Sequence, residues 1–117
     1  MIQGEVSSKG VPTISIPIAG SEWLATVDTG FNGDLELPEA LRTAVNPRFS
    51  GQISSSLAGG QVIEEDAFYV DFPFDGEIVL ATATFVPSGN ILIGTRMLKQ
   101  HRLLIRFVSK TVELERE

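Results

Sequence analysis

A chain of 117 residues is long enough to bury one real core and too short for two domains of ordinary size, so a single domain spanning residues 1–117 is expected. With 43% hydrophobic and 21% charged residues it is neither disordered nor fibrous in composition. The 9 Lys and Arg against 15 Asp and Glu leave a net charge of −6, which argues against a nucleic-acid partner, and the absence of cysteine excludes disulfides and thiolate metal sites.

Met1-Ile2-Gln3-Gly4-Glu5 lacks the basic and apolar regions of a signal peptide, and no apolar run approaches membrane-spanning length. The expectation is a soluble cytoplasmic protein with no membrane contact. In Thr13 to Ile18, Ile14, Ile16 and Ile18 alternate with small residues and proline, the pattern of a strand. Pro12 and Pro17 suggest that it is an edge strand, since proline cannot donate to a ladder. Ala19 to Glu22 predicts a turn into a strand from Trp23 to Val27. A Gly-punctuated acidic segment, Asp28-Thr29-Gly30-Phe31-Asn32-Gly33, follows. Leu35 and Leu37 then alternate with Asp34 and Glu36. Pro38 to Arg42 suits the first turn of a short helix, which Asn46-Pro47 would stop.

Residues 50–72 predict a long hairpin, with arms Ile53 to Leu57 and Gln61 to Phe72 and a tip at Ala58-Gly59-Gly60. Pro73 to Gly76 and Pro87-Ser88-Gly89-Asn90 predict turns around a β-rich run from Glu77 to Val86. Ile91-Leu92-Ile93-Gly94 has the character of a short strand buried on both faces. Thr95 is placed to cap a helix from Arg96 to His101, with Leu103 to Val108 and Thr111 to Glu115 as a final hairpin closing at Ser109-Lys110. Trp23, Phe68, Tyr69, Phe72 and Phe74 are expected in the core or at a dimer contact. The fold class is therefore all-β, a closed or partly closed barrel with one or two short helices.

The acidic segment carries the chemistry. Strand residues Leu24 to Val27 deliver Asp28 to the mouth of a turn, where its carboxylate is displayed instead of buried. Hydrolysing an amide without a metal or a covalent intermediate needs one group to take a proton from water and another to give one to the carbonyl oxygen. Two carboxylates sharing a proton do both, because like charges about 3 Å apart cannot both ionise. The chain has one Asp-Thr-Gly, and Asp34, Asp66, Asp71 and Asp75 lie in no second copy of it or of Asp-Ser-Gly. If that chemistry is present here, the second carboxylate must come from a second copy of the chain, across a twofold axis. No metal or other cofactor is needed.

From about residue 12 to 108 the chain resembles the small prokaryotic members of the retropepsin-like aspartic proteases. The likeness lies in a strand leading to Asp28-Thr29-Gly30, a Gly-tipped hairpin at Ala58 to Gly60 where that family has its flap, and Asn90 to Gly94 followed by a helix. It implies an acid-protease barrel with one lobe per chain, a homodimer, and hydrolysis of a peptide or protein substrate. By the same resemblance Asp28 is the general acid and base, and Thr29 bonds across the axis while Gly30 allows the tight turn. Phe31, Asn32, Ala58, Gly59, Gly60, Leu92 and Ile93 are the implied substrate-binding set, with Leu92 and Ile93 also supporting the turn. Phe31 is large where the family keeps a small residue. The family's acid and arginine beside the turn are both replaced, by Asn32 and Thr95, with Arg96 one place later. The alternative reading is a catalytically weak or inactive peptide-binding or dimerisation module of the same fold.

Other residues support blander readings. His101, the lone histidine, suggests a Ser-His-Asp triad with Ser54, Ser55 or Ser56 only until one notes that no Gly-x-Ser-x-Gly elbow occurs; it fits better as a helix C-terminal cation or a surface residue. Glu64-Glu65-Asp66 point alternately to opposite faces of a strand, which suits a solvated surface better than a metal site.

Overall fold

The computed structural model describes residues 1–56, 58–87 and 89–117. Ten strands form one mixed sheet: β1 (Ile2–Val6), β2 (Pro12–Ile18), β3 (Ser21–Val27), β4 (Leu35–Pro38), β5 (Arg48–Ser56), β6 (Val62–Phe74), β7 (Glu77–Val86), β8 (Ile91–Ile93), β9 (His101–Arg106) and β10 (Thr111–Arg116). Their spatial order is β5-β6-β7-β4-β8-β3-β2-β1-β10-β9, so the sheet is open and has β5 and β9 as its edges. One apolar cluster forms its core, with Ile14, Leu35, Leu37, Leu41, Val70, Phe72, Ile91, Ile93 and Leu114 all nearly sealed from solvent. The alternation that sends every second side chain inward is plain in β2, whose Ile14, Ile16 and Ile18 are buried.

Two expectations about strands are corrected. β1 was not foreseen, because Gly4 interrupts an already weak alternation. Gly4 is there because β1 and β2 approach so closely that a Cβ would strike the Thr13 carbonyl oxygen. With β1 in place, β2 is an interior strand and not an edge. Its prolines are tolerated because β1 pairs only with residues 12–14, so that Pro17 has a neighbour on the β3 side alone. Pro73 is accommodated in the same way: it was expected in a turn but lies within β6, beyond the last residue that pairs with β5.

The helices are shorter than the residue pattern suggested. Both are 3-10 turns, Glu39–Ala44 and Thr95–Leu98, and neither has a side-chain cap. The first is tied to β6 and β7 by Arg42, whose guanidinium stacks 5.0 Å from the Phe68 ring centre and 4.2 Å from that of Phe85 and bonds Glu39 at 2.8 Å. After the second, His101 opens β9 instead of ending a helix. Its side chain is 5% exposed, 3.3 Å from the Asp75 carboxylate and edge-on to Phe74. It is neither a surface residue nor a helix-terminal cation.

The hairpin of β5 and β6 is longer at its base than expected, and a bulge sits between Phe49 and Gly51. Gly59 and Gly60 at its tip have φ of 95° and 86°, the left-handed region that side chains disfavour. The expected arm residue Leu57, and Ser88 of the expected Pro87–Asn90 turn, lie outside the described residues. The final hairpin turns through Phe107 to Lys110, and β9 stops at Arg106. Of the expected aromatics, Phe72 and Phe74 are buried, Trp23 and Phe68 pack against the core, and Tyr69 is exposed.

Candidate active site

The turn from Asp28 to Asp34 leaves β3 and returns into β4, and β8 lies between those two strands. β8 pairs with β3 in parallel (Val27 with Ile93) and with β4 in antiparallel (Leu35 with Ile93). Short and apolar, it fills the gap under the turn and binds it through the main chain. The Asp28 amide donates to the Ile93 carbonyl at 2.9 Å, Gly94 to Asp34 at 2.9 Å, Thr95 to Phe31 at 2.8 Å and Arg96 to Gly33 at 3.2 Å. Such a ladder removes most of the freedom of a Gly-rich loop and holds Asp28 on a rigid base.

Within the turn the Gly30 amide donates to Asp28 Oδ1 at 2.9 Å, while the Phe31 amide donates to the Asp28 carbonyl at 3.1 Å. A side chain at Gly30 would start 3.2 Å from that carboxylate oxygen. Asp28 Oδ2 has no hydrogen-bond partner among the described residues, so half of the carboxylate is available to a water or a substrate. Asp28 is partly exposed, and Thr29, Gly30 and Asn32 are exposed around it. Phe31 folds back under the turn: a Cβ on Gly33 or Gly94 would come within 2.8 Å of its ring.

Asp34 forms the far post of the turn. Its carboxylate is 13% exposed, accepts the Thr82 amide of β7 at 2.9 Å and faces the Arg96 guanidinium at 3.9 Å. An acid and an arginine therefore do meet beside the turn, at Asp34 and Arg96 rather than at positions 32 and 95. Thr95 instead places its hydroxyl 3.4 Å from the Phe31 carbonyl.

Beside the turn is a cavity of about 430 Å³, walled by Phe31, Gly33 and Asp34 of the turn, Leu35 and Glu36 of β4, Thr82 to Thr84 of β7, Arg96, and Ile53, Ile63 and Glu65 of the hairpin. The hairpin thus roofs a hollow whose floor is β4, β7 and the Phe31 to Asp34 end of the turn; Asp28, Thr29, Gly30 and Asn32 do not line it. Of the expected substrate-binding residues only Phe31 lines it. Ala58, Gly59 and Gly60 are exposed at the hairpin tip, Ile93 is sealed in the core, and Leu92 is part-buried on the opposite face of β8. Ile53, Ile63, Glu36, Glu65 and Arg96 were missed as lining residues. For Glu36 the strict alternation with Leu35 and Leu37 was the available signal. A second hollow of about 390 Å³, between the N-terminal strand and the Asp75 turn, contains no residue of the Asp28 turn.

Burial and the neighbouring Glu65, in that order, push the Glu36 carboxyl above the ordinary carboxylate range. Among the described residues no group of three or more His, Cys, Asp or Glu could hold a metal ion. No helix is long and apolar enough to cross a membrane.

This open sheet, with a short buried strand clamping an Asp-Thr-Gly turn under a hairpin, is a retropepsin-like fold. The crystal structure of a retropepsin-like aspartic protease from Rickettsia conorii matches 97% of the chain and 89% of its own, with a TM-score of 0.65 and 12% identity. The solution structure of simian foamy virus (mac) protease matches 74% of the chain and 90% of its own, at a TM-score of 0.56 and 22% identity. The foamy viral protease-reverse transcriptase, solved with an RNA/DNA hybrid, matches 80% of the chain over 13% of its own length, at a TM-score of 0.59 and 18% identity. No protein-family model and no curated protein matches the chain by sequence.

Proposed function

We propose that residues 1–117 act as one retropepsin-like unit that pairs with a second copy of itself into an aspartic endopeptidase of the cytoplasm. The observation that supports this best is the Asp28 turn: a half-free carboxylate on a base fixed by β8, in a turn whose later residues Phe31, Gly33 and Asp34 line a cavity with a hairpin for its roof. In this reading the two Asp28 carboxyls, one per copy, share one proton and hold a water between them. The ionised carboxylate takes a proton from the water as its oxygen attacks the scissile carbonyl carbon, and the protonated partner gives its proton to the carbonyl oxygen. Collapse of the resulting diol breaks the C–N bond as a proton passes to the leaving nitrogen. Thr29 bonds across the axis and keeps the carboxyls coplanar. The tip Ala58-Gly59-Gly60, with its two positive-φ glycines, closes over the peptide.

Cleavage of a denatured protein substrate at acidic to near-neutral pH tests this. Asp28→Asn should lower the rate by roughly 10²- to 10⁴-fold while the protein stays folded. A variant that cleaves as fast as the parent would rule the assignment out. A second reading, a peptide-binding module without useful activity, is favoured by Phe31, which takes up part of the cavity wall. It prevails if the parent binds peptides and cleaves none at any pH.

A further inference from the structure

Leu35 and Leu37 of β4 point into the core, so Glu36 between them is turned to the other face and into the cavity. Above it, Glu65 on β6 stands directly opposite Ile53 on β5, and cross-strand partners share a face, so the roof presents Ile53, Ile63 and Glu65 together. Floor and roof thus each contribute one carboxylate to the same hollow. Among the described residues neither has an ion-pair or hydrogen-bond partner. The nearby cations are engaged, Arg96 with Asp34 and Arg42 with Glu39. The lining as a whole carries three carboxylates, Asp34, Glu36 and Glu65, against one guanidinium; its apolar side chains are Phe31, Ile53 and Ile63, and Gly33, Thr82 and Thr84 complete it together with Leu35 and Ala83, whose side chains are buried in the core.

A hollow with apolar sides and two unpaired carboxylates facing each other is complementary to a long side chain with an aliphatic stem and a cationic end. We propose that this cavity selects the substrate by taking an arginine or lysine side chain of the bound peptide, its stem against Ile53, Ile63 and Phe31 and its charge between Glu36 and Glu65. The inference rests on the reading of Asp28 as the reacting centre, since it makes the cavity the place where a residue close to the scissile bond is read. A cation placed there relieves both the repulsion between the two carboxylates and the desolvation of Glu36, whereas an acidic side chain adds a third negative charge in a partly dry site.

Binding separates this from catalysis. The Asp28→Asn protein is titrated calorimetrically with four peptides that differ only in one central residue, arginine, lysine, leucine or glutamate. The arginine and lysine peptides should bind about tenfold more tightly than the leucine peptide and the glutamate peptide most weakly, with the preference shrinking as salt is added. Adding Glu36→Gln and Glu65→Gln together should bring the arginine, lysine and leucine peptides to similar affinity. Equal binding of the arginine and leucine peptides, a preference that survives both substitutions, or no binding of any peptide would overturn the proposal. A parent protein that shows the preference and hydrolyses nothing leaves the pocket assignment standing and removes the protease.

Discussion

Asp28 and Glu36 lie eight positions apart and meet opposite fates. Asp28 has the Gly30 amide on one oxygen and no protein donor among the described residues on the other, which leaves that second oxygen to accept a hydrogen bond from a water. Glu36 is half-buried, faces Glu65 and has its proton held more tightly in the folded chain than in the unfolded one. A carboxyl with a raised folded pKa opposes folding once it ionises. That penalty is absent at pH values low enough to protonate it in both states, and complete above the raised value. Glu36→Gln should therefore raise the melting temperature at neutral pH, by about one or two degrees because solvent still screens the site, and leave it unchanged in acid. Thermal melts at the two pH values check this, and a lower melting temperature for the variant at neutral pH would contradict it. The role of Glu65 could be half read from the residues alone: alternation separates it from Glu64 and Asp66, but which face meets a cavity depends on where the hairpin folds.

Among the elements, β8 matters most for its size. Three residues long, it pairs with both strands that flank the turn, and Gly94 beyond it touches the turn itself. A Cβ at Gly94 would strike the Gly33 carbonyl oxygen and lie 2.7 Å from that of Phe31, so neither a rotamer change nor a small shift makes room. Gly94→Ala should cost about 1–3 kcal/mol in urea unfolding, and more if the whole ladder of main-chain bonds to the turn is lost. A variant as stable as the parent would mean that the turn is looser than drawn. The apolar run 91–93, the strand 77–86 with its alternating side chains, the glycine-tipped hairpin and the Asp28 turn were legible because each is written in a local pattern. What escaped was set by distant partners. β1 exists because β2 and β10 pair with it on both sides, the prolines fit because a neighbouring strand ends early, and His101 is buried because the Asp75 turn packs on it.

At the scale of the molecule, both ends of the chain are used up within one copy. β1 lies between β2 and β10, and β10 between β1 and β9, so neither terminal strand has a free side to lend to a partner. A second copy could join the terminal strands only by breaking this pairing. The symmetric pair proposed above would have to be built from surfaces other than the terminal strands, and the exposed turn residues Thr29, Gly30 and Asn32 are open to it. The proposed chemistry nevertheless stands or falls on two carboxyls belonging to two copies. Cleavage by the parent protein, mixed and equilibrated with an equal amount of Asp28→Asn, tests that most directly. If each site needs one Asp28 from each copy, random pairing makes half of the parent chains partners of the variant, and activity per parent chain falls to about half, and further as the variant is added in excess. Activity per parent chain that stays constant at every mixing ratio would show that one Asp28 suffices, and would contradict the shared-proton site.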